Sequence, residues 1–235
     1  RLLSNLGYGS RKQVHGLVAA GEVTLDGAEL TDANARIAIG ADLPSRMLIM
    51  GNPIDPPPPV VIMLHKPVGV VCSHKETGRR IYDLLPPRWR VRDPALSSVG
   101  RLDKDTSGLL LITDDGGFLH RVISPKRHVP KSYIATLDRP LTGEEAAVFA
   151  AGTLMLEGEE KPLLPAILEP LSETKARLII EEGRYHQVRR MFAAVGNHVV
   201  ELHRDRIGGL VLPDDLEPGA FRVLPAETAE QVFAG

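Results

Sequence analysis

The 235-residue sequence predicts an α+β fold in two units, the larger one built on a mostly antiparallel mixed sheet. Strand-like runs outnumber helical patterns, and the helices fall between them at irregular intervals. A proline-rich stretch separates the first unit, about fifty residues long, from the rest of the chain. An unbroken apolar run, Leu109–Ile112, follows a charged loop and precedes Asp114, which is typical of a buried strand.

Composition is that of an ordinary globular protein. The chain is 43% hydrophobic and 25% charged, and no apolar run approaches the roughly 18 residues of a membrane span. The single cysteine, Cys72, excludes an internal disulfide and any zinc site built from several thiolates. We therefore expect a cytoplasmic protein that acts as a monomer.

Charge is unevenly distributed along the chain. The net charge of −2 does not by itself indicate nucleic-acid binding. However, basic residues are concentrated in segments 74–92, 116–137 and 184–206, whereas segment 142–182 is acidic. Local fields decide binding, and three separated basic segments fit a polyanion better than they fit a surface of mixed charge.

The first unit begins with a helix followed by a hairpin. Ser10–Gln13 fits a capping box, apolar residues at helical spacing follow it, and Gly21 is placed to end the helix. Residues 22–30 form two short extended pieces around the Asp26-Gly27 turn.

The helix presents a basic face. Arg11 and His15 are four residues apart and therefore neighbours, with Lys12 beside them. Charge alone favours an ordinary solvated surface. The order of motifs, however, resembles the S4 domain, a small RNA-binding module, at Ser10, Arg11, Gly21, Val23 and Gly27. The resemblance implies that Arg11 and Lys12 contact RNA.

A proline-rich segment marks the boundary between the two units. The four consecutive prolines 56–59 favour an extended polyproline II conformation and cannot continue a helix or a central strand. We interpret residues 52–59 as a semi-rigid linker between an S4-like unit over 1–51 and a larger unit over 60–235.

The larger unit has several strand-like segments and two helical patterns. A capping box at Thr142–Glu145 opens a helix that reaches about Ala151. Apolar residues between Val188 and Val195 have helical spacing, and Gly196-Asn197 can end that helix. Strands are predicted at 60–64, 109–112, 133–137, 176–180 and 198–202.

The charged loop before Leu109 allows three interpretations. Asp103, Asp105 and Ser107 have the spacing of a calcium loop, but a strand follows where an EF-hand needs a helix. Asp105 is equally explained as a residue that shapes the turn. Asp103 lies between Arg101 and Lys104, which favours a functional carboxylate beside a polyanion.

Four blocks of sequence resemble the pseudouridine synthase family. Residues 100–109 are similar to its signature loop, and the three other blocks, 66–73, 131–136 and 182–192, agree with the family in their order along the chain. With the S4-like unit in front, the chain is similar to the branch that modifies ribosomal RNA. Segment 185–209 resembles the small-subunit enzymes that act on uridine 516 of 16S rRNA.

The resemblance implies a reaction and a set of catalytic residues. Pseudouridine formation breaks the N1–C1′ bond of uridine, turns the uracil and joins C5 to C1′, without a redox or metal cofactor. Asp103 is then the essential carboxylate, acting at the sugar or at the base. Arg189 is its ionic partner, which keeps the enclosed carboxylate anionic. Tyr133 stacks on the target uracil and assists at C5.

The remaining expectations concern RNA contacts. Arg101 fills the space that the flipped uridine vacates, or holds the flipped nucleotide. Lys66, Arg184, His186 and Lys131 are expected to contact phosphates. Two alternatives stay open: a pseudouridine synthase for 23S rRNA, and a non-catalytic S4-type RNA-binding or ribosome-assembly factor.

Overall fold

The computed structural model describes residues 1–234. The small unit at the start contains three short helices and a four-stranded antiparallel sheet of order β2-β1-β3-β4. Its core is formed by nine buried apolar side chains between Leu3 and Ile54. The elements are α1 (Leu2–Asn5), α2 (Arg11–Ala19), β1 (Val23–Leu25), β2 (Ala28–Glu29), α3 (Leu43–Arg46), β3 (Met47–Ile49) and β4 (Asn52–Pro53).

The predicted helix and hairpin of the small unit are confirmed. The Ser10 hydroxyl accepts the Gln13 amide at 3.3 Å, and the Gln13 side chain accepts the Ser10 amide at 2.7 Å. Asp26 and Gly27 both adopt positive φ angles, 52° and 81°, in the turn between β1 and β2. Glycine carries such angles at little cost, and aspartate tolerates them better than most residues.

The segment predicted as a linker, 52–59, is anchored to both units. Asn52–Pro53 forms β4, and Ile54 is buried in the core of the small unit, so that unit extends three residues beyond residue 51. The amide of Asp55 donates to the Tyr8 hydroxyl at 2.8 Å. The Asp55 carboxylate accepts from Arg88 at 3.0 Å, and Arg88 belongs to the larger unit.

The larger unit is built on a nine-stranded sheet. Its main path is β13-β5-β7-β11-β8-β10-β9, with β12 paired to β11 and β6 paired to β7. All named neighbours are antiparallel except β7 and β11, which are parallel. The predicted α+β class with a mostly antiparallel mixed sheet is confirmed for this unit.

The strands vary from two to nine residues and the helices from five to eight. The strands are β5 (Val61–Lys66), β6 (Ser97–Ser98), β7 (Thr106–Thr113), β8 (Lys131–Leu137), β9 (Ile167–Ser172), β10 (Lys175–Ile180), β11 (Val199–Ile207), β12 (Leu210–Val211) and β13 (Phe221–Leu224). The helices are α4 (Gly116–Ile123), α5 (Glu145–Ala150), α6 (Gln187–Ala194) and α7 (Ala226–Glu230).

Strand β7 lies between two apolar clusters, as its unbroken apolar run predicts. Leu110 and Ile112 belong to the cluster that contains Phe192 of α6. Leu109 and Leu111 belong to the cluster on the opposite face. All four side chains are inaccessible to solvent, so β7 is a rigid mount for the loop that precedes it.

One helix boundary differs from expectation, and one helix was not predicted. Helix α5 begins at Glu145, later than a cap at Thr142 would place it, although the Glu145 carboxylate accepts the Thr142 amide as the predicted capping box requires, and the Gly143 amide as well. Helix α4 was not predicted, since its first two residues are glycines, which disfavour helix. The side chain of Asp115 caps it by accepting the amides of Gly117 and Phe118.

Within residues 1–234, no helix is long and apolar enough to cross a membrane.

Candidate active site

A cavity of about 760 Å³ opens on the larger unit. Most of its lining comes from three segments that are distant in sequence: the loop 100–106 before β7, Tyr133 on β8, and the segment 183–189 that leads into α6. Cys72 contributes to the wall. The fold therefore brings the signature loop and all three of the other motif blocks to one place, since Cys72 belongs to the block 66–73.

The signature loop is fixed on both sides of Asp103. On one side, the Leu102 amide donates to the Cys72 sulfur and the Cys72 thiol donates to the Leu102 carbonyl, both at 3.4 Å. On the other side, the Thr106 amide donates to the Asp103 carbonyl at 3.0 Å, and Thr106 starts the parallel pairing of β7 with β11. The Asp103 side chain stays about one-third exposed, so the carboxylate is held in place yet accessible.

Lys66 was predicted to contact RNA phosphate, and its position contradicts that role. The side chain is fully buried, and its ammonium group donates to the carbonyls of Thr106 at 2.8 Å, Pro67 at 3.0 Å and Lys104 at 3.4 Å. Burial lowers the pKa of Lys66. Lys66 thus ties the signature loop to the end of β5 from within the protein.

Arg189 was predicted to pair with Asp103, and this pair is absent from residues 1–234. The guanidinium instead donates to the carbonyls of Asp105 and Val199, each at 3.1 Å. Arg189 thus links the loop before β7 to the start of β11 through two backbone carbonyls. Arg189 therefore lines the cavity, but it contacts the backbone of the loop and not the Asp103 carboxylate.

The group that contacts Asp103 is His186. Its Nε2 lies 3.3 Å from the Asp103 carboxylate. His186 has a positive φ of 48° immediately before α6, a conformation that is unusual outside glycine. The segment is held there because the Arg184 amide donates to the Gln187 side chain, which in turn donates to Glu182.

Arg184 was also predicted to contact RNA, but protein groups occupy its donors. It pairs with Glu182 at 3.1 Å and Glu159 at 3.4 Å. It also donates to the carbonyls of Lys161 and Pro162, each at 2.7 Å. Its role in this structure is to fix the segment before α6, which contradicts the predicted phosphate contact.

Tyr133 lines the cavity and rests on an arginine that the sequence analysis missed. Arg204 on β11 is buried, and it donates to the Tyr133 hydroxyl at 3.3 Å and to the Leu109 carbonyl at 2.9 Å. Its Nη2 has no hydrogen-bond partner among residues 1–234. The alternation of β11 could have revealed Arg204, because it lies two residues beyond the buried Leu202 and therefore faces the same side.

Arg101 is exposed at the cavity wall. Within the described part of the chain its guanidinium makes no hydrogen bond or ion pair, neither with Asp103 nor with Asp105. A solvated guanidinium beside Asp103 is free to meet a ligand.

Lys131 has a different environment from Arg101. Its ammonium group donates to the Val129 carbonyl at 3.0 Å, and it does not belong to the cavity lining. Burial, together with the nearby charge of Arg204, lowers the pKa of Lys131 to about 8. The predicted phosphate contact of Lys131 stays a prediction.

The depressed pKa of Lys131 predicts how stability changes with pH. A lysine in the unfolded chain titrates near 10.4, so between pH 8 and about 10 the unfolded state binds more protons than the folded one. Stability contributed by this site therefore rises across that window. Urea titrations of the wild type and Lys131→Met should show a free-energy difference that shifts in favour of the wild type from pH 8 to pH 10. A difference that stays constant with pH contradicts the assignment.

Arg11 and Lys12 lie exposed on α2 in the small unit. Arg11 and His15 border a second cavity of about 280 Å³, together with Arg1, Ser4, Val14 and Asn34. The basic face predicted from sequence is therefore open.

The calcium interpretation of the signature loop does not fit the structure. Strand β7 starts at Thr106, inside the span that an EF-hand loop needs. Across residues 1–234, no three His, Cys, Asp or Glu side chains converge in a way that could hold a metal ion.

Comparisons with known proteins agree on one family. Residues 60–194 match the family described as RNA pseudouridylate synthase. The chain is 43% identical to ribosomal small subunit pseudouridine synthase A of Escherichia coli (strain K12), covering 92% of this chain and 90% of that protein. The protein of the same name from Vibrio cholerae is also 43% identical, over 95% of this chain and 94% of its own length. A crystal structure of a pseudouridylate synthase superposes with a TM-score of 0.70 at 36% identity, covering 98% of this chain and 96% of that one.

Proposed function

The chain belongs to the RNA pseudouridylate synthase family, and we propose that it converts uridine 516 of 16S ribosomal RNA to pseudouridine. It is an rRNA pseudouridine synthase. The small-subunit assignment is supported by relatives named for that subunit, which align with both units of the chain. The observation that carries the proposal is the cavity in which an accessible, backbone-anchored Asp103 lies with Tyr133 and with Arg101, which has no partner among residues 1–234.

We assign the chemistry to Asp103. The reaction breaks N1–C1′, forms C5–C1′, and moves the C5 proton to solvent while N1 gains a proton, so no external oxidant or reductant is needed. Asp103 acts at the sugar or at the base, where a fixed carboxylate forms a covalent bond or stabilises positive charge. Its anchored backbone limits the reorganisation needed at the moment of reaction.

Two further residues handle the uracil and the RNA. Tyr133 presents a ring in the cavity wall, and Arg204 fixes its hydroxyl, so the ring offers a preset stacking surface for the flipped uracil. Extracting a uridine from its stack costs a few kcal/mol. Arg101 offsets part of this cost by entering the vacated space, since no protein partner among residues 1–234 restrains it.

The small unit acts as an S4-like RNA-binding domain in this proposal. We divide the chain into an S4-like domain over 1–51, a linker over 52–59 and a catalytic domain over 60–235. The small sheet continues into the linker at Asn52–Pro53, and Ile54 completes the core of the small unit. The basic face of α2 is open, as an RNA contact requires. We expect the protein to act on rRNA as a monomer.

The basic face of α2 has a direct test. Replacing Arg11 and Lys12 together by alanine removes two exposed charges, so affinity for the 16S transcript should fall about 5- to 20-fold at 100 mM salt. The slope of log affinity against log salt should also become shallower, because fewer counterions are released. The measurement is filter binding over a salt series. Replacing Arg36 and Lys175, which are exposed outside the three basic segments, should change less. Equal losses in both pairs contradict a specific RNA face on α2.

The activity is tested with transcripts labelled with tritium at C5 of uridine. Purified protein should release tritium from 16S rRNA, free or partly assembled with ribosomal proteins, in an amount that matches one uridine per molecule. Release from 23S rRNA alone would establish the large-subunit alternative. Tight binding with no release from either RNA would support a non-catalytic RNA-binding factor.

A further inference from the structure

Tyr185 is a large aromatic side chain that the chemistry assigned above does not use. It lines the cavity, yet 74% of its surface is exposed, the highest value among the large hydrophobic side chains of residues 1–234. Leaving an aromatic ring in water forgoes the free energy that burial would supply. Packing within the protein therefore does not explain why an aromatic side chain occupies residue 185.

The ring is held in a defined orientation despite its exposure. It stacks on the His186 imidazole with a centroid distance of 3.9 Å and an interplanar angle of 15°. The Tyr185 carbonyl accepts a hydrogen bond from Arg190 at 3.1 Å, and Arg190 is itself paired with Glu159 at 2.9 Å. One face of the ring is thus covered by His186, and the exposure leaves the other face open.

The stack is connected directly to the reactive carboxylate. His186 contacts Asp103 at 3.3 Å, so Tyr185 lies one side chain away from the group that meets the target uridine. Tyr133, on a different strand of the sheet, already offers a surface for the flipped uracil. The open face of Tyr185 is therefore available to a different part of the RNA.

We propose that Tyr185 is a stacking platform for an unpaired nucleobase that neighbours the target uridine. Aromatic faces accept any base by stacking, and proteins that read single-stranded RNA use this contact. Arg101, Lys104 and Arg189 line the same cavity and provide positive charge for the adjoining phosphates. The proposal rests on the proposed function only for the identity of the RNA; the stacking surface itself is independent of the chemistry.

The test combines protein variants with abasic RNA. Binding of a 16S fragment containing uridine 516 is measured with Asp103→Asn protein, so that turnover does not consume the RNA. Each nucleotide flanking the uridine is replaced by an abasic site in turn. Loss of one stacked base corresponds to about 1–3 kcal/mol, or about 5- to 150-fold in affinity.

The Tyr185 variants are made in the Asp103→Asn protein, which is the parent for comparison. Adding Tyr185→Ala should weaken binding within that range, and adding Tyr185→Phe, which keeps the ring, should leave binding within about twofold of the parent. One abasic position should weaken binding to the parent protein but have almost no further effect on Tyr185→Ala. This coupling separates stacking from a structural effect on His186, because a structural effect would weaken all the RNAs equally.

Two results overturn the proposal. One is that Tyr185→Ala binds as tightly as the parent. The other is that every abasic RNA loses the same affinity with both proteins. Tritium release by the wild-type protein is measured in parallel, and it fails or succeeds independently of this coupling. A failure of the platform is thereby distinguished from a failure of the proposed activity.

Discussion

Replacing Asp103 with asparagine is expected to reduce tritium release from 16S rRNA by at least about 10³-fold while leaving RNA binding within a few-fold of the wild type. Asparagine has the same shape and can still meet His186, but its amide neither attacks carbon nor carries negative charge. The loop should stay in place, because its anchors are the backbone at Leu102 and Thr106 together with the Cys72 sulfur. Single-turnover rates at saturating protein give the chemical step directly.

Asp105→Asn is the matched control for this prediction. Asp105 lies two residues away in the same exposed loop, and its contribution to the site is its backbone carbonyl, which accepts from Arg189. The substitution retains that carbonyl, so the rate should fall at least about 100-fold less than with Asp103→Asn. Equal losses in the two variants would assign the effect to the loop's overall charge and remove Asp103 from its proposed role.

Replacing Lys66 with methionine is expected to damage both stability and catalysis. The substitution keeps most of the side-chain volume but removes the donors to Thr106, Pro67 and Lys104. The Lys104 carbonyl keeps the Gly69 amide as a donor, whereas Pro67 and Thr106 lose a buried donor. A buried carbonyl left without a partner costs about 1–3 kcal/mol, so the free energy of unfolding should fall by about 2–4 kcal/mol. A loop displaced by about 1 Å slows the reaction about 10²-fold, and this loss should appear in kcat.

The variant also separates the two roles considered for Lys66. Urea titration measures stability, and single-turnover kinetics separates the rate at saturation from the RNA concentration needed to reach it. Lys104→Met is the control, because Lys104 is exposed in the same loop and its removal should leave stability unchanged. If Lys66→Met kept its stability and its rate at saturation and lost only affinity, Lys66 would be a phosphate contact after all.

Much of the fold could be predicted because its elements carry local signals. The apolar run at Leu109–Ile112 and the helical spacing from Val188 to Val195 appear in the structure as β7 and α6. Both patterns are formed by residues close together in sequence, so they can be recognised without knowing the tertiary structure. Helix α4 was missed because Gly116 and Gly117 oppose helix locally. Burial of Phe118 and Val122 and the cap from Asp115 override that preference.

The candidate site was predicted less completely than the fold. Asp103, Tyr133 and Arg189 do line one cavity, as their motifs indicated. The partners of the basic residues could not be predicted, because a lysine or arginine is matched to whichever acceptors the tertiary structure brings near. Lys66 follows an apolar run and ends inside the protein, and Arg189 meets two carbonyls instead of a carboxylate.

Arg204 was missed because the predicted strand ended too early. The strand predicted at 198–202 stopped short of it, whereas β11 continues to Ile207 because it also pairs with β8 and β12. Once the strand is extended, alternation places Arg204 on the same face as Leu202, and the register of β11 with β8 sets it opposite Tyr133. The sequence signal was present but depended on the correct strand boundary.

The central claim, that this chain makes one pseudouridine in small-subunit rRNA through Asp103, is tested most directly by mapping pseudouridines in cells. Ribosomal RNA is compared between a strain lacking the gene and the same strain carrying either the wild-type gene or Asp103→Asn. We predict that pseudouridine at position 516 of 16S rRNA is absent from the deletion strain, restored by the wild type, and not restored by Asp103→Asn. Loss of a 23S site instead, or restoration by Asp103→Asn, would contradict the account.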